Sequence, residues 1–303
     1  MRVVVFGGTG TVGSQVVAGL LAKGSFLEIA DGRNFEVRVA TRSPERVRTV
    51  SKKLTAVKAD MHQQETVDAA VKGADAVFLL TALSRTELEE GTSVIEAMKK
   101  NGVKRVVFLS IHNVHSAPHV PHFQTKIQLE KKIKDAGFTY TILEANNFYQ
   151  NDVWYAQSIM GYGVYPQPIG RIGINRVDVR DIADAAVNAF TESGHENQHY
   201  PLVGPDAWTG ESTTKVLSKI LGKKLRYGGD ELGPWAKQSK EYLPEWLVED
   251  LLIMYDFFQK NGLLATPEDF QRQAKILGHP PRKYEDYAKE FAYSLEANAG
   301  EVA

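Results

Sequence analysis

Cysteine is absent from all 303 residues, which excludes disulfides, thiolate nucleophiles and cysteine-bound zinc. An excess of one charge is absent too. The 36 Lys and Arg stand against 37 Asp and Glu, a formal net charge of -1, so no overall field draws in nucleic acid or an anionic membrane. No apolar run approaches the roughly 20 residues that a transmembrane helix needs. The chain opens with Met1, Arg2 and then strand-like residues, without the apolar core and small-residue cleavage pattern of a signal peptide. A cytoplasmic chain is expected, binding no membrane and no nucleic acid directly. Repeats and low-complexity tracts are missing as well, apart from a soft end, "EANAGEVA". What is present, 43% hydrophobic and 24% charged residues, suits a globular chain of one large domain or one domain with a satellite lobe.

Through the first half, β-branched apolar runs alternate with helical patterns. Strands are predicted at Val3–Phe6, Phe35–Thr41, Ala56–Ala59, Ala74–Thr81, Arg105–Ser110 and Tyr140–Glu144, and helices near 12–23, 44–53, 63–72, 87–101 and 123–136. Runs such as "AVFLL" and "RVVFLS" are apolar on both faces, as strands covered by helices on two sides must be. This order predicts βαβ units and an α/β fold with a doubly wound parallel sheet of the Rossmann type. Residues 25–34, "SFLEIADGRN", read as a surface excursion in the first helix-to-strand connection. After residue 147 the rhythm breaks. Residues 151–175 are rich in Gly, Pro, Tyr and Gln, "RVDVRDIADAAVNAF" reads as a strand and a helix, and another strand lies near 199–203. From about residue 211 the chain is mainly helical. Leu243, Trp246, Leu247, Leu251, Met254, Tyr255 and Phe258 share one helix face, read as the buried face of a lobe rather than an exposed partner groove. The sheet domain is expected over residues 1–147 and 176–203, and a smaller, mainly helical lobe over 148–175 and 204–303.

The first strand runs into "VVVFGGTGTVGSQVV", with Gly7, Gly10 and Gly13 between strand and helix. Such a loop gathers free backbone N–H groups and the positive end of a helix dipole at one point. Gly7 permits the turn, Gly10 lets the backbone approach a pyrophosphate, and Gly13 lets the helix pack closely. Without Gly-Lys-Ser/Thr it is no ATP or GTP loop. A glycine turn holding no ligand is the plainer alternative; the strand before, the helix after and the βαβ order favour a dinucleotide. The second strand, "FEVRVATR", ends in Thr41 and Arg42, with Ser43 and Arg46 beyond. A guanidinium there gives paired, charged hydrogen bonds to the 2′-phosphate of NADP, whereas NAD calls for a carboxylate. Asp31 lies at about the right chain distance for that carboxylate, but inside the excursion and not at a strand end. NADP(H) is the expected cofactor; the other reading makes Arg42 and Arg46 part of a solvated basic helix start.

Several segments, taken in order, resemble the NmrA-like family of atypical short-chain dehydrogenase/reductases. They are "VVVFGGTGTVGSQVV", "VRVATRSPERV", "VKAD", "TKIQLEKKIKDAGFTYTILEANNFYQN" and "RVDVRDIADAA", with the helical C-terminal part. That family includes NADP-sensing regulators alongside reductases of the phenylcoumaran benzylic ether, isoflavone and quinone types. The resemblance implies roles at single positions. Gly7, Thr9, Gly10, Thr11, Val12 and Gly13 match the diphosphate loop, and Arg42 the 2′-phosphate reader. Asp60 and Met61 match the adenine contact, and Thr81 and Ala82 border the adenine ribose. Lys126 matches the lysine that binds the nicotinamide ribose, and Asn146, Asn147 and Phe148 the segment lining the nicotinamide. Ser110 stands where typical short-chain dehydrogenases carry Ser or Thr. One position departs from their Tyr-x-x-x-Lys pattern. In "HFQTK" the tyrosine is replaced by His122, one helical turn before Lys126 and on the same face.

The expected activity is therefore an NADPH-dependent reduction of a small conjugated, carbonyl or quinone substrate, an aromatic one included. Lys126 would polarise developing charge, and His122 or a bridging water would donate the proton. The alternative is a non-catalytic NADP(H)-sensing protein that acts through a protein partner. Other clusters read more plainly. His112, His115, His119 and His122 share no helix face and are interrupted by Pro118 and Pro121, so a loop over the cofactor mouth is expected and no metal. His112 is the member expected to reach the pocket. Asp178 and Asp181 read as acids capping a helix start. Tyr149, Trp154, Tyr155, Tyr162 and Tyr165 suit either stacking on a flat ring or packing between lobes.

Overall fold

A computed structural model describes residues 1–31 and 35–300 of the chain. Strands β1 (Arg2–Phe6), β2 (Glu36–Thr41), β3 (Leu54–Lys58), β4 (Ala76–Leu79), β5 (Arg105–Ile111) and β6 (Thr139–Ala145) alternate with helices α1 (Thr11–Asp31), α2 (Gln64–Val71), α3 (Glu87–Lys100) and α4 (Pro121–Asp135). There follow α5 (Ala156–Tyr162), the two-residue β7 (Val164–Tyr165), α6 (Val179–Thr191) and β8 (Gln198–Leu202). β8 completes a seven-stranded sheet in the order β3-β2-β1-β4-β5-β6-β8, parallel throughout. The order reverses between β1 and β4. An open α/β sheet leaves its crevice there, at the carboxyl ends of the strands.

Successive strand residues point to opposite faces, so each strand feeds two layers. Val3, Val5 and Phe78 meet Val16 and Leu20 of α1 and Ile182 and Ala186 of α6. Val4, Phe6, Val77 and Leu79 meet Val67 of α2, Val94 and Met98 of α3, and Leu129 and Ile133 of α4. β4 is buried at every residue, which is why its sequence is apolar on both faces.

The remaining elements are α7 (Gly210–Leu221), β9 (Arg226–Tyr227), α8 (Leu232–Ser239), α9 (Glu245–Asn261), α10 (Pro267–Leu277) and α11 (Tyr284–Gly300). β9 pairs with β7 in a small separate sheet. Val248, Met254, Tyr255, Phe257 and Phe258 of α9 bury against Val114, Val120 and Phe123 at the start of α4, so the apolar stripe of this helix is a packing face. Tyr149, Tyr165, Trp208, Leu217 of α7 and Tyr284 of α11 make a second cluster. At its centre the wholly buried Arg176 pairs with Asp152 at 2.7 Å and donates to the carbonyls of Phe148 and Tyr149. α10 behaves differently: it packs against β8 and α6, with Ile276 in the sheet's own core.

Three local expectations are corrected. The helix expected over 44–53 is a single 3-10 turn, Pro44–Arg46, with no buried residue. With only Val47 packed against the core, the segment does not repay the cost of helix nucleation. The excursion at 25–34 is in part a continuation of α1, which runs on to Asp31; residues 32–34 lie outside the described residues. The strand expected at "RVDV" is one bridge, Phe148 to Val177.

Candidate active site

Apart from Lys126 on α4, the expected cofactor residues lie at the carboxyl ends of the strands, in the loops that leave them or, for Thr11, Val12 and Gly13, in the first turn of α1. After β1, Gly7 takes φ +76°, a left-handed conformation that glycine adopts without a Cβ clash. A Cβ on Gly13 would lie 2.1 Å from the Gly7 carbonyl oxygen, so α1 can start against this loop only with glycine there. The Gly10 N–H donates to Gly7 O at 3.0 Å, Val12 is buried beneath, and Thr9, Gly10 and Thr11 face outward. After β2, the exposed Arg42 guanidinium makes no hydrogen bond or ion pair with the described residues.

After β3, the Asp60 carboxylate accepts from the His62 N–H at 3.1 Å and from Gln63 at 3.4 Å, shaping the turn into α2; Met61 packs half-buried beside it. After β4, Ala82 is exposed and Thr81 buried. After β6, Asn146 is wholly engaged. Its amide donates to His112 Nδ1 at 3.2 Å and to Leu263 O at 2.9 Å, and its oxygen accepts the Asn147 N–H at 2.8 Å. The Asn147 Oδ1, in contrast, is buried with no partner among the described residues. Phe148 packs half-buried on the core. An open glycine cradle, an unpaired guanidinium on the neighbouring strand and an orphaned buried acceptor fit a dinucleotide with a 2′-phosphate.

The candidate catalytic residues converge through α4. Lys126 Nζ donates to Thr81 Oγ1 and lies against Glu87 Oε1, both at 2.8 Å, while the Thr81 hydroxyl donates to Glu87 at 2.7 Å. The ammonium also sits over the Phe108 ring. One turn on, Glu130 accepts the Ser110 hydroxyl proton, and its other oxygen lies 3.5 Å from His115 Nε2. One turn back, His122 is paired through Nδ1 with Asp250 of α9. His122, Lys126 and Glu130 thus form a stripe at i, i+4 and i+8 of one helix.

The other histidines are dispersed. His112 is buried, and burial holds its ring below the usual imidazole range although Asp269 opposes this. Because Asn146 donates to Nδ1, the proton sits on Nε2 and is given to Asp269 at 3.3 Å. His119 lies edge-on against Phe257. Among the described residues, Asp181, Asp184 and His279 come close enough to suggest a metal, but Arg282 donates to both carboxylates and already supplies the positive charge. Asp178 caps α6 by accepting the Arg180 N–H at 2.9 Å. The aromatic set divides. Tyr149 and Tyr165 are core residues around Arg176, their phenols pushed above the ordinary range by burial. Trp154 and Tyr162 are more than 70% exposed, at 73% and 72%. No single ring-stacking wall forms from these residues.

Sequence reasoning missed Glu87, Glu130, Asp250 and Asp269. Glu130 had a signal, since it continues the four-residue spacing of His122 and Lys126. Glu87 stands in the first turn of α3, where an acid ordinarily complements the helix dipole, and Asp250 lies 128 residues from the histidine it holds, where no local pattern points to it.

A model of the NmrA-like family matches residues 1–288. The chain is similar to the NAD(P)H azoreductase of Xenophilus azovorans, 30% identical over 97% of this chain and 99% of that one. It is equally similar, at 30% identity over 96% of this chain and 98% of the other, to the (4-alkanoyl-5-oxo-2,5-dihydrofuran-3-yl)methyl phosphate reductase of Streptomyces griseus subsp. griseus. Among solved structures, the NADPH-dependent quinone oxidoreductase of Escherichia coli complexed with NADPH shares the fold. Its TM-score is 0.82 at 24% identity, over 95% of this chain and 99% of that one.

Proposed function

The chain belongs to the NmrA-like family, and from that premise we propose that it is an NADPH-dependent reductase of a small acceptor with a delocalised product anion: a quinone, a conjugated carbonyl or an azo compound. When bound, NADPH supplies a hydride from C4 of its nicotinamide. The Gly7–Gly13 loop would hold the pyrophosphate and Arg42 the 2′-phosphate. Asp60, Met61, Thr81 and Ala82 would border the adenosine, and Lys126, Asn147 and Phe148 the nicotinamide end, with Asn146 bracing them from beneath. Lys126, steadied by Glu87 and Thr81, brings positive charge to the edge where the reduced substrate gains negative charge.

The observation that carries the substrate class is how narrow the supply of acid is, with Nε2 as the one nitrogen of His122 left to give a proton. The Ser110 proton is committed to Glu130, no tyrosine precedes Lys126, and one nitrogen of His122 is taken by Asp250. An acceptor whose reduced anion is spread over several atoms tolerates slow protonation; a simple ketone does not. The names of the two relatives, an azoreductase and a reductase of a conjugated furanone, agree with that class. A cytoplasmic location goes with this reading, since NADPH is supplied there.

One observation favours the sensor alternative: Lys126, His122 and Ser110 all hold partners within the chain. A screen of NADPH oxidation separates the two. The reductase turns over naphthoquinones, azo dyes or enones and ignores saturated ketones. Tight NADPH binding with no oxidation by any of these acceptors would leave the sensor reading standing.

A further inference from the structure

His122 is held more firmly than a helix cap requires. Asp250, buried on α9, accepts the His122 backbone N–H through Oδ2 at 3.1 Å, and its Oδ1 takes the ring at Nδ1. The first contact caps α4. The second does nothing for the helix; it fixes the ring, which also meets Phe123 edge-on at 4.9 Å between centroids. With its Nδ1 proton on a carboxylate, the imidazole has Nε2 left for exchange. That nitrogen has no partner among the described residues, yet it is not among the sealed, orphaned atoms.

Its place along α4 matters. The chain passes from the carboxyl end of β5 into α4, so His122 stands about 6 Å further out than Lys126, toward α9. Trp246, one turn before Asp250 on α9, lies under the Arg85 guanidinium from the loop after β4, 5.9 Å from its centroid. α9 therefore touches both the start of α4 and the loop after β4, two segments at the carboxyl ends of the strands.

Resting on the reductase reading, we propose that Asp250 is a positioning residue that holds His122 as a proton relay for the reduced substrate. Hydride addition leaves the substrate with an extra electron pair on oxygen. The imidazolium Nε2–H bond breaks, its proton forms the new O–H bond, and the ring returns to the neutral form with Nδ1–H on Asp250. Solvent then restores the second proton. Of the charged groups, Asp250 from α9 touches the ring; Lys126, paired with Glu87, follows one turn along α4, and Arg85 from the loop after β4 lies over Trp246, one turn before Asp250. His119, from the preceding loop, lies against Phe257 of α9.

The test compares a naphthoquinone with cyclohexenone, both reduced by NADPH, because an enolate needs the proton far more than a hydroquinone anion. His122→Gln lowers kcat for cyclohexenone on the order of 10²-fold, and for the quinone by much less. Asp250→Asn, which leaves the ring unheld, lowers kcat for the enone selectively while KM stays put, and Asp250→Glu restores it in part. Thermal midpoint and NADPH Kd are followed throughout, because loss of the α4 cap alone lowers stability. Should Asp250→Asn not fold, the acceptor selectivity of His122→Gln decides the matter. Equal losses for both acceptors, in His122→Gln or in Asp250→Asn, would overturn the relay and leave Asp250 as a cap. Absence of turnover by the unaltered protein with both of these acceptors and with azo dyes would instead sink the reductase reading.

Discussion

Lys126 shows how a residue can be legible in kind and illegible in circumstance. "HFQTK" gives its spacing and helix face, and the resemblance gives its role, but nothing local announces that Glu87 and Thr81 grip it. That grip changes what a substitution does. Lys126→Ala would leave the buried Glu87 without its cation, and breaking a buried pair costs about 3–5 kcal/mol. Lost activity alone would then be uninformative. The informative variant is the pair Lys126→Met with Glu87→Gln, which removes both charges together. We expect the single variant to melt much earlier, and the double variant to regain most of the thermal midpoint without regaining NADPH turnover. Recovery of turnover in the double variant would remove the lysine from the chemistry.

At the scale of the element, the strand-and-helix rhythm is legible because buried parallel strands must be apolar on both faces, and β4 shows it at every residue. Reading fails where a helix needs a partner that the pattern cannot see. Residues 44–53 carry a helical spacing, yet only Val47 packs on the core and a single turn forms. The junction of β1 and α1 is the reverse case, where the glycine spacing foretells the geometry. There Gly13→Ala would force its Cβ to within 2.1 Å of Gly7 O, so the loop must open. NADPH affinity should fall by at least about tenfold, or ~1.4 kcal/mol. Gly102→Ala, at φ +70° with open space around it, is the control. It should cost about 1–2 kcal/mol of stability through strain and leave NADPH binding unchanged by titration calorimetry. Equal affinity losses in the two would refute the cradle.

Across the whole molecule, the contacts that join lobe to sheet are the least legible, because those that hold α10 span from 70 to 157 residues. The His112–Asp269 bond crosses 157 positions to tie the carboxyl end of β5 to α10. The burial of His112 at this seam makes stability depend on pH. The folded protein keeps His112 neutral because burial holds its ring below the ordinary 6.5, while the unfolded chain protonates it normally. Below pH 6.5 the unfolded state therefore binds more protons, and stability falls as pH drops toward the folded value. Asp269 is also buried, but Thr266 and His112 pull its carboxyl below 3.8, so its share is lost only in stronger acid. Thermal midpoints of the wild type should decline between about pH 7 and 5, and His112→Gln should flatten that decline. Identical slopes would show that another group titrates.

The course of α10 has a mechanical consequence. The chain leaves the sheet after β8, builds α7 to α9, returns to lay α10 against β8 and α6, and departs again into α11. The lobe is thus stitched through the sheet, like cloth caught by a second seam. Swinging it open as one rigid flap would tear α10 from β8 and strand Ile276, now 1% exposed, in water. Traffic into the cleft must pass by yielding within the lobe itself, and the Asp250 and Trp246 face of α9 is the part of the seam nearest the door.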